Sequence, residues 1–126
     1  YNRTESKAAE VAKQISKTNP SVKVCVGIPS GRVDLLLNAT SVGLKPDDPL
    51  PIHDNGFNLK NAAAVYDMIY RPAETPLLKA AQAAGCRTAN GLGMLLYQGA
   101  KALEIWSGKS APIEVMRQAL HRHVYV

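Results

Sequence analysis

Residues 33–39 read Val-Asp-Leu-Leu-Leu-Asn-Ala, a nearly continuous apolar run. That is the pattern of a parallel strand covered on both faces, and it sets the fold class. Working outward, Ala62–Ile69 is a second short apolar run and Cys86–Ala89 a third, brief one. Upstream, Val22, Val24, Val26 and Ile28 alternate with Lys23, Cys25 and Gly27, the period of two of a strand with one wetter face. Helical patterns separate these runs. In Thr4–Lys17, Ala8, Val11, Ala12 and Ile15 recur at helical spacing behind Thr4 as N-cap. After Arg71-Pro72, a helix is punctuated by Thr75 as cap, Pro76 in its first turn and Gly85 just past its end. Leu92, Leu95, Leu96, Leu103 and Trp106 mark an apolar face that runs to Gly108, and Pro112–Arg122 forms a last helix burying Val115, Met116, Ala119 and Leu120. Residues 40–61, with their prolines and glycines, are expected to form a long loop with at most one helical turn. Strands alternating with helices predict an α/β fold around a parallel sheet.

Composition narrows the class of protein. At 126 residues with 46% hydrophobic and 20% charged content, the chain suits one compact domain and not a disordered tail. No apolar run reaches the ~18 residues of a membrane span, and YNRTESKAAE carries no apolar stretch of the kind a secretory signal needs. Two cysteines, Cys25 and Cys86, make neither a disulfide framework nor a four-ligand zinc site, which suggests a reducing, cytoplasmic setting. Lying in strands, both are expected to be buried and inert. The net charge of +5 admits a polyanionic partner. Yet the basic residues are scattered, and one Phe and one Trp build no base-stacking platform, so a small anion fits better than nucleic acid.

Parallel sheets bind ligands at the carboxyl ends of their strands. Asn2-Arg3-Thr4 stands at a helix start with Lys7 one turn on. Helix amides, an Arg fork and a hydroxyl would converge there on a phosphate, and no acid is present to hold a ribose diol. A plain capped surface helix explains the same residues. The next strand end, Asn38–Gly43 with Thr40 and Ser41, allows close backbone approach, or is only a turn. At the third, Tyr70 can donate to a substrate oxygen and Met68 can pack on an aromatic ring, although both types also fill cores. Asn90-Gly91-Leu92-Gly93 imitates a dinucleotide fingerprint, but Leu96 replaces its third glycine. Gly91, Met94 and Gln98 instead share a helix face, and Gln98 needs a polar partner, either a ligand or a neighbouring backbone group. His121 and His123, two apart on a helix, diverge too far to share a metal and are expected at a frayed end.

Four blocks in register resemble the carboxyl-terminal half of shikimate dehydrogenase: N-R-T-x-x-K from Asn2, D-L-L-L-N-A-T-S-V-G from Asp34, Y-D-M-I-Y-R-P-x-x-T-P-L-L from Tyr66, and N-G-L-G-M-L-L-Y-Q-G from Asn90. The resemblance implies a partial doubly wound, Rossmann-like parallel sheet in residues 1–90. Residues 91–126 would be helices that pack back on a substrate domain. It implies NADP as cofactor, and the reduction of 3-dehydroshikimate to shikimate on the route to the aromatic amino acids. By position, Asn2, Arg3, Thr4 and Lys7 would hold the 2′-phosphate. Thr40 and Ser41 would lie along the cofactor, Met68, Gly91 and Met94 would border the nicotinamide, and Tyr70 and Gln98 would contact the substrate. Lys7 stands where many members have Arg, which keeps the charge and loses the planar fork.

The family's glycine-rich pyrophosphate loop, and the Lys and Asp that look responsible for proton transfer, match nothing in these residues. The chain is therefore expected to be a fragment, inactive alone and with no catalytic residue of its own. It is also expected to self-associate through an unpaired sheet edge. Quinate as substrate and a non-catalytic nucleotide-binding module are the alternatives. The expected geometry is a single cleft facing both Arg3 and Gln98.

Overall fold

The computed structural model describes residues 1–52 and 56–125, in two compact units, 1–31 and 32–126. In the first, helix α1 spans Glu5–Thr18. Glu5 sits at the positive end of its dipole and Lys17 at the negative end, as the macrodipole favours. The Thr4 hydroxyl, expected to cap, makes no cap bond; Asn2 Oδ1 instead accepts from the Thr4 amide at 2.8 Å. The apolar stripe is only half-covered, since Ala8 and Ala12 are half-buried while Val11 and Ile15 are exposed.

The strand expected at Val22–Ile28 is absent. Its alternation is genuine, and Val24 and Ile28 are the half-buried members, but a strand needs a ladder partner to satisfy its backbone, and none among the described residues pairs with it. Cys25, expected inside, is exposed for the same reason.

The second unit is built on a parallel three-stranded sheet in the order β1 (Val33–Asn38), β2 (Ala62–Asp67), β3 (Arg87–Asn90). Val33 pairs with Ala62 and Asn38 with Asp67, while Asp67 also pairs with Asn90, so all three strands end level. Among the described residues, the β1–β2 connection consists of turns and one 3-10 turn at Leu59–Asn61. Helix α2 (Pro76–Ala83) returns the chain from β2 to β3 and buries Leu77, Leu78 and Ala81 against Ala62 and Val65. Cys86 lies just before β3 and is half-buried, its thiol donating to the Leu59 carbonyl at 3.1 Å.

Only one face of β1 is covered. Leu36 packs on the core, whereas Leu35 is 57% and Leu37 54% exposed, against the expectation of cover on both sides. The described residues of the connection supply no α-helix for the second face.

Helix α3 (Leu92–Ser107) ends at Gly108, whose left-handed φ of 67° suits glycine, and α4 spans Ile113–Tyr125. They pack where Gly99 admits the Met116 methyl. Leu96 and Ala100 are buried, but the rest of the expected apolar face is not. Trp106 is 83% and Val115 66% exposed, Ala119 is exposed, and no residue of α4 is fully buried. No helix among the described residues is long and apolar enough to cross a membrane.

Candidate functional site

The carboxyl ends of β1 and β2 are tied by a buried polar network that begins in the strand register. Because Asn38 and Asp67 are paired neighbours, Asn38 Nδ2 donates to Asp67 Oδ1 at 3.0 Å, and also to the Val42 carbonyl at 3.1 Å. Asp67, fully buried, accepts from the Ile69 amide at 3.1 Å and from the Thr75 hydroxyl at 2.6 Å. The same hydroxyl accepts from the Leu78 amide and caps α2. Asn38 Oδ1 takes both the Thr40 amide at 3.1 Å and its hydroxyl at 2.8 Å. No buried side-chain N or O among the described residues is left unpaired, as a low-dielectric interior demands. The network fixes the backbones that carry Thr40, Ser41, Met68 and Tyr70.

Two glycines bring the chain segments close. A Cβ on Gly91 would lie 2.0 Å from the Met68 carbonyl oxygen, so only glycine lets α3 start against that backbone. Gly43 has φ +114° and sits 3.4 Å from the Ile69 side chain by the same measure. Its amide and that of Lys45 donate to Asp48 Oδ2 at 2.9 and 3.0 Å. Those amides, led by Lys45, hold the exposed Asp48 carboxyl below the usual carboxylate range.

Asn90, at the end of β3, joins four segments. Its Nδ2 donates to the Ala73 carbonyl at 2.9 Å and to the Tyr125 hydroxyl at 2.8 Å, and its Oδ1 accepts from the Leu92 amide. The last turn of α4 is thereby docked onto the strand ends, where a frayed terminus was expected.

These elements enclose an open pocket of about 600 Å³. Five of the sequence-predicted residues line it: Thr40, Ser41, Met68, Tyr70 and Met94. Gly91 is buried behind Met68 and lies outside the lining, and Gln98, exposed one turn beyond Met94, lies outside it too. Asn2, Arg3, Thr4 and Lys7 are all exposed at the start of the first unit. Sequence reasoning missed Arg71, Leu95 and His123 in the lining. The spacing of Leu120 and Val124, both half-buried, carried the signal that α4 stays ordered past Arg122. Nothing in the sequence announced the Asn90–Tyr125 contact. A second groove of about 620 Å³ runs past Glu74, Gln82, Thr88, Asn90 and Tyr97 and was not foreseen. Among the described residues, no group of three or more His, Cys, Asp or Glu is placed to hold a metal.

A parallel sheet with strands in sequential order, a pocket at their carboxyl ends and helices beyond is part of a doubly wound, Rossmann-like α/β fold. Within that class, residues 91–121 match the family described as Shikimate 5'-dehydrogenase C-terminal domain. The chain is 41% identical, over 94% of its length, to a shikimate dehydrogenase (NADP(+)) of Methanococcus aeolicus, of which it covers 44%. Its fold matches a shikimate dehydrogenase crystallised in complex with NADP+ at a TM-score of 0.77 and 35% identity, with 99% of this chain and 46% of that one covered. It also matches the ligand-free 5-ketofructose reductase of a Gluconobacter species at 0.74 and 36%, covering 97% and 46%. The chain therefore resembles the carboxyl-terminal part of shikimate dehydrogenases, and spans somewhat less than half the length of the relatives it matches.

Proposed function

We propose that this chain is the carboxyl-terminal part of an NADP-dependent dehydrogenase that interconverts 3-dehydroshikimate and shikimate in the cytoplasm. The single observation that carries this reading is the pocket shared by Thr40, Ser41, Met68, Tyr70 and Met94, residues that come from three separate motif blocks. Bound NADPH supplies the hydride. The chain's own residues bind and orient. Met68 and Met94 present thioethers to the nicotinamide ring, Gly91 holds the Met68 backbone in place beside it, and Thr40 and Ser41 offer hydroxyls along the cofactor. Asn2, Arg3, Thr4 and Lys7 serve the 2′-phosphate, with α1's amino-terminal end adding favourable partial charge. Tyr70 and Gln98 contact the substrate.

The domain boundary in this reading falls between residues 90 and 91, with the remaining part of the NADP-binding sheet before it and helices that pack back on a substrate domain after it. The ionisable groups that line the pocket are Tyr70, Arg71 and His123. Proton transfer is assigned to a Lys/Asp pair in a preceding domain, so the chain alone is expected to be inactive. The outer edge of β1 is where a preceding strand, or a second copy of the chain, would pair. Similarity of the same order to a 5-ketofructose reductase favours a second reading, in which the polyol or keto acid is chosen by that preceding domain.

Calorimetry with NADP+ tests the cofactor assignment: weak binding by the chain, abolished in Arg3→Ala, is expected, and binding unaffected by that substitution would remove the 2′-phosphate assignment. A turnover assay with NADP+ and shikimate tests the rest. The isolated chain is expected to be silent and the protein with its preceding half active.

A further inference from the structure

Thr40 reaches the pocket with its hydroxyl hydrogen already committed. Asn38, 3% exposed at the end of β1, donates from Nδ2 to two acceptor oxygens, Asp67 Oδ1 and the Val42 carbonyl. Turning this amide over would set its oxygen against both of them and its NH2 against the Thr40 amide, so Oδ1 faces Thr40. The Thr40 hydroxyl lies 2.8 Å from that oxygen and is the donor of the pair, because two oxygens meet at this distance only with a hydrogen between them. Thr40 Oγ1 in turn accepts from the Val42 amide at 3.1 Å. A hydroxyl has one hydrogen and two lone pairs, so what Thr40 has left to offer is a single lone pair. The residue is exposed and lines the pocket.

A side chain that can only accept turns away phosphate and carbonyl oxygens and takes N–H donors. The carboxamide of a nicotinamide has an oxygen on one side and an NH2 on the other. The ribose hydroxyls beside it both donate and accept, and are indifferent to such a partner. We infer that Asn38 is a positioning residue: by holding the Thr40 hydroxyl as an acceptor, it makes Thr40 take the carboxamide NH2 and so fixes which way the carboxamide is turned. The inference rests on the proposed placement of the nicotinamide in this pocket. The support behind Thr40 is firm, because Asn38 is held by Asp67, which also accepts from the Thr75 hydroxyl at the start of α2. A neutral hydrogen bond of this kind is worth about fivefold in affinity.

The test is calorimetric titration of the chain with NADP+ and with the analogue of NADP+ in which an acetyl group replaces the carboxamide. The analogue keeps the charged ring, its carbonyl, the riboses and the phosphates, and lacks only the NH2. Shared contacts therefore cancel in the ratio of Kd for the analogue to Kd for NADP+. Relative to the wild-type chain, this ratio is expected to fall about fivefold in Thr40→Val and to hold in Thr40→Ser, which keeps the hydroxyl. In Asn38→Ala, shown to be folded by its melting curve, the Thr40 hydroxyl is free to donate to the acetyl carbonyl, and the ratio should fall there too. A ratio unchanged in Thr40→Val or in folded Asn38→Ala, or one that falls as far in Thr40→Ser, would overturn the inference and leave the NADP assignment standing. Binding of neither ligand by the wild-type chain would bring down the assignment, and the inference with it.

Discussion

The strand ends and the outer flank of this chain invert the usual order of polar and apolar. At the strand ends, Asn38, Asp67 and Thr75 are buried at 3% exposure or less, and every hydrogen-bonding side-chain atom there has a partner. On the flank, Leu35, Leu37, Ile105, Trp106 and Val115 are all more than half exposed. The strand ends complete themselves, because strand register places donor opposite acceptor within one sheet. The flank does not, because the β1–β2 connection and the C-terminal helices leave those side chains uncovered. Buried polarity here marks a part that satisfies itself, and apolar side chains on the flank stand open to solvent.

The largest expected effect that would break this contrast is Gly91→Ala. Its methyl would enter the Met68 carbonyl, and the backbone must move. Loss of more than about 3 kcal/mol, read by urea unfolding, is expected, and near-normal stability would show that the strand ends are looser than described. Next is Asp67→Ala, which strands the Thr75 hydroxyl, the Asn38 amide and the Ile69 amide together. About 2–4 kcal/mol is expected, whereas Thr75→Ser, which keeps the hydroxyl, costs under about 1 kcal/mol.

Trp106→Ala and Leu35→Thr sharpen the contrast from the other side. In this chain each should change stability by no more than about 0.5 kcal/mol, despite the size of the residue removed. In a protein that includes the preceding half, the tryptophan substitution is expected to cost about 3 kcal/mol or more. Equal effects in both would mean that the flank is an ordinary solvent face. The smallest effect is at Asp48. Its carboxyl is held below its unfolded value, so its contribution is present above the unfolded pKa and is lost as pH falls through the folded one. The protection factors of the Gly43 and Lys45 amides, measured relative to intrinsic exchange at each pH, should therefore fall in acid, and Asp48→Asn should abolish that dependence.

Much of this was legible from the chain. Apolar runs located β1, β2 and, one residue early, β3. Thr75, Pro76 and Gly85 bounded α2, and motif blocks brought Thr40, Met68, Tyr70 and Met94 to one pocket. Three of the misreadings share a physical source. Val22–Ile28, the outer face of β1 and Trp106 were read as covered because periodicity reports which side chains a segment could bury, not whether another element lies against them. His123 was missed for a different reason. Its anchor is a contact between Asn90 and Tyr125, 35 residues apart, which no local pattern encodes.

That anchor has a practical consequence. Loss of the Tyr125 hydroxyl, as in Tyr125→Phe, would leave the sheet and its buried network intact in a melting curve. It would nonetheless unfasten one wall of the pocket at the strand ends. Folding alone is thus a poor guide to whether that wall is in place, and amide exchange in the last turn of α4 is the control that would reveal it.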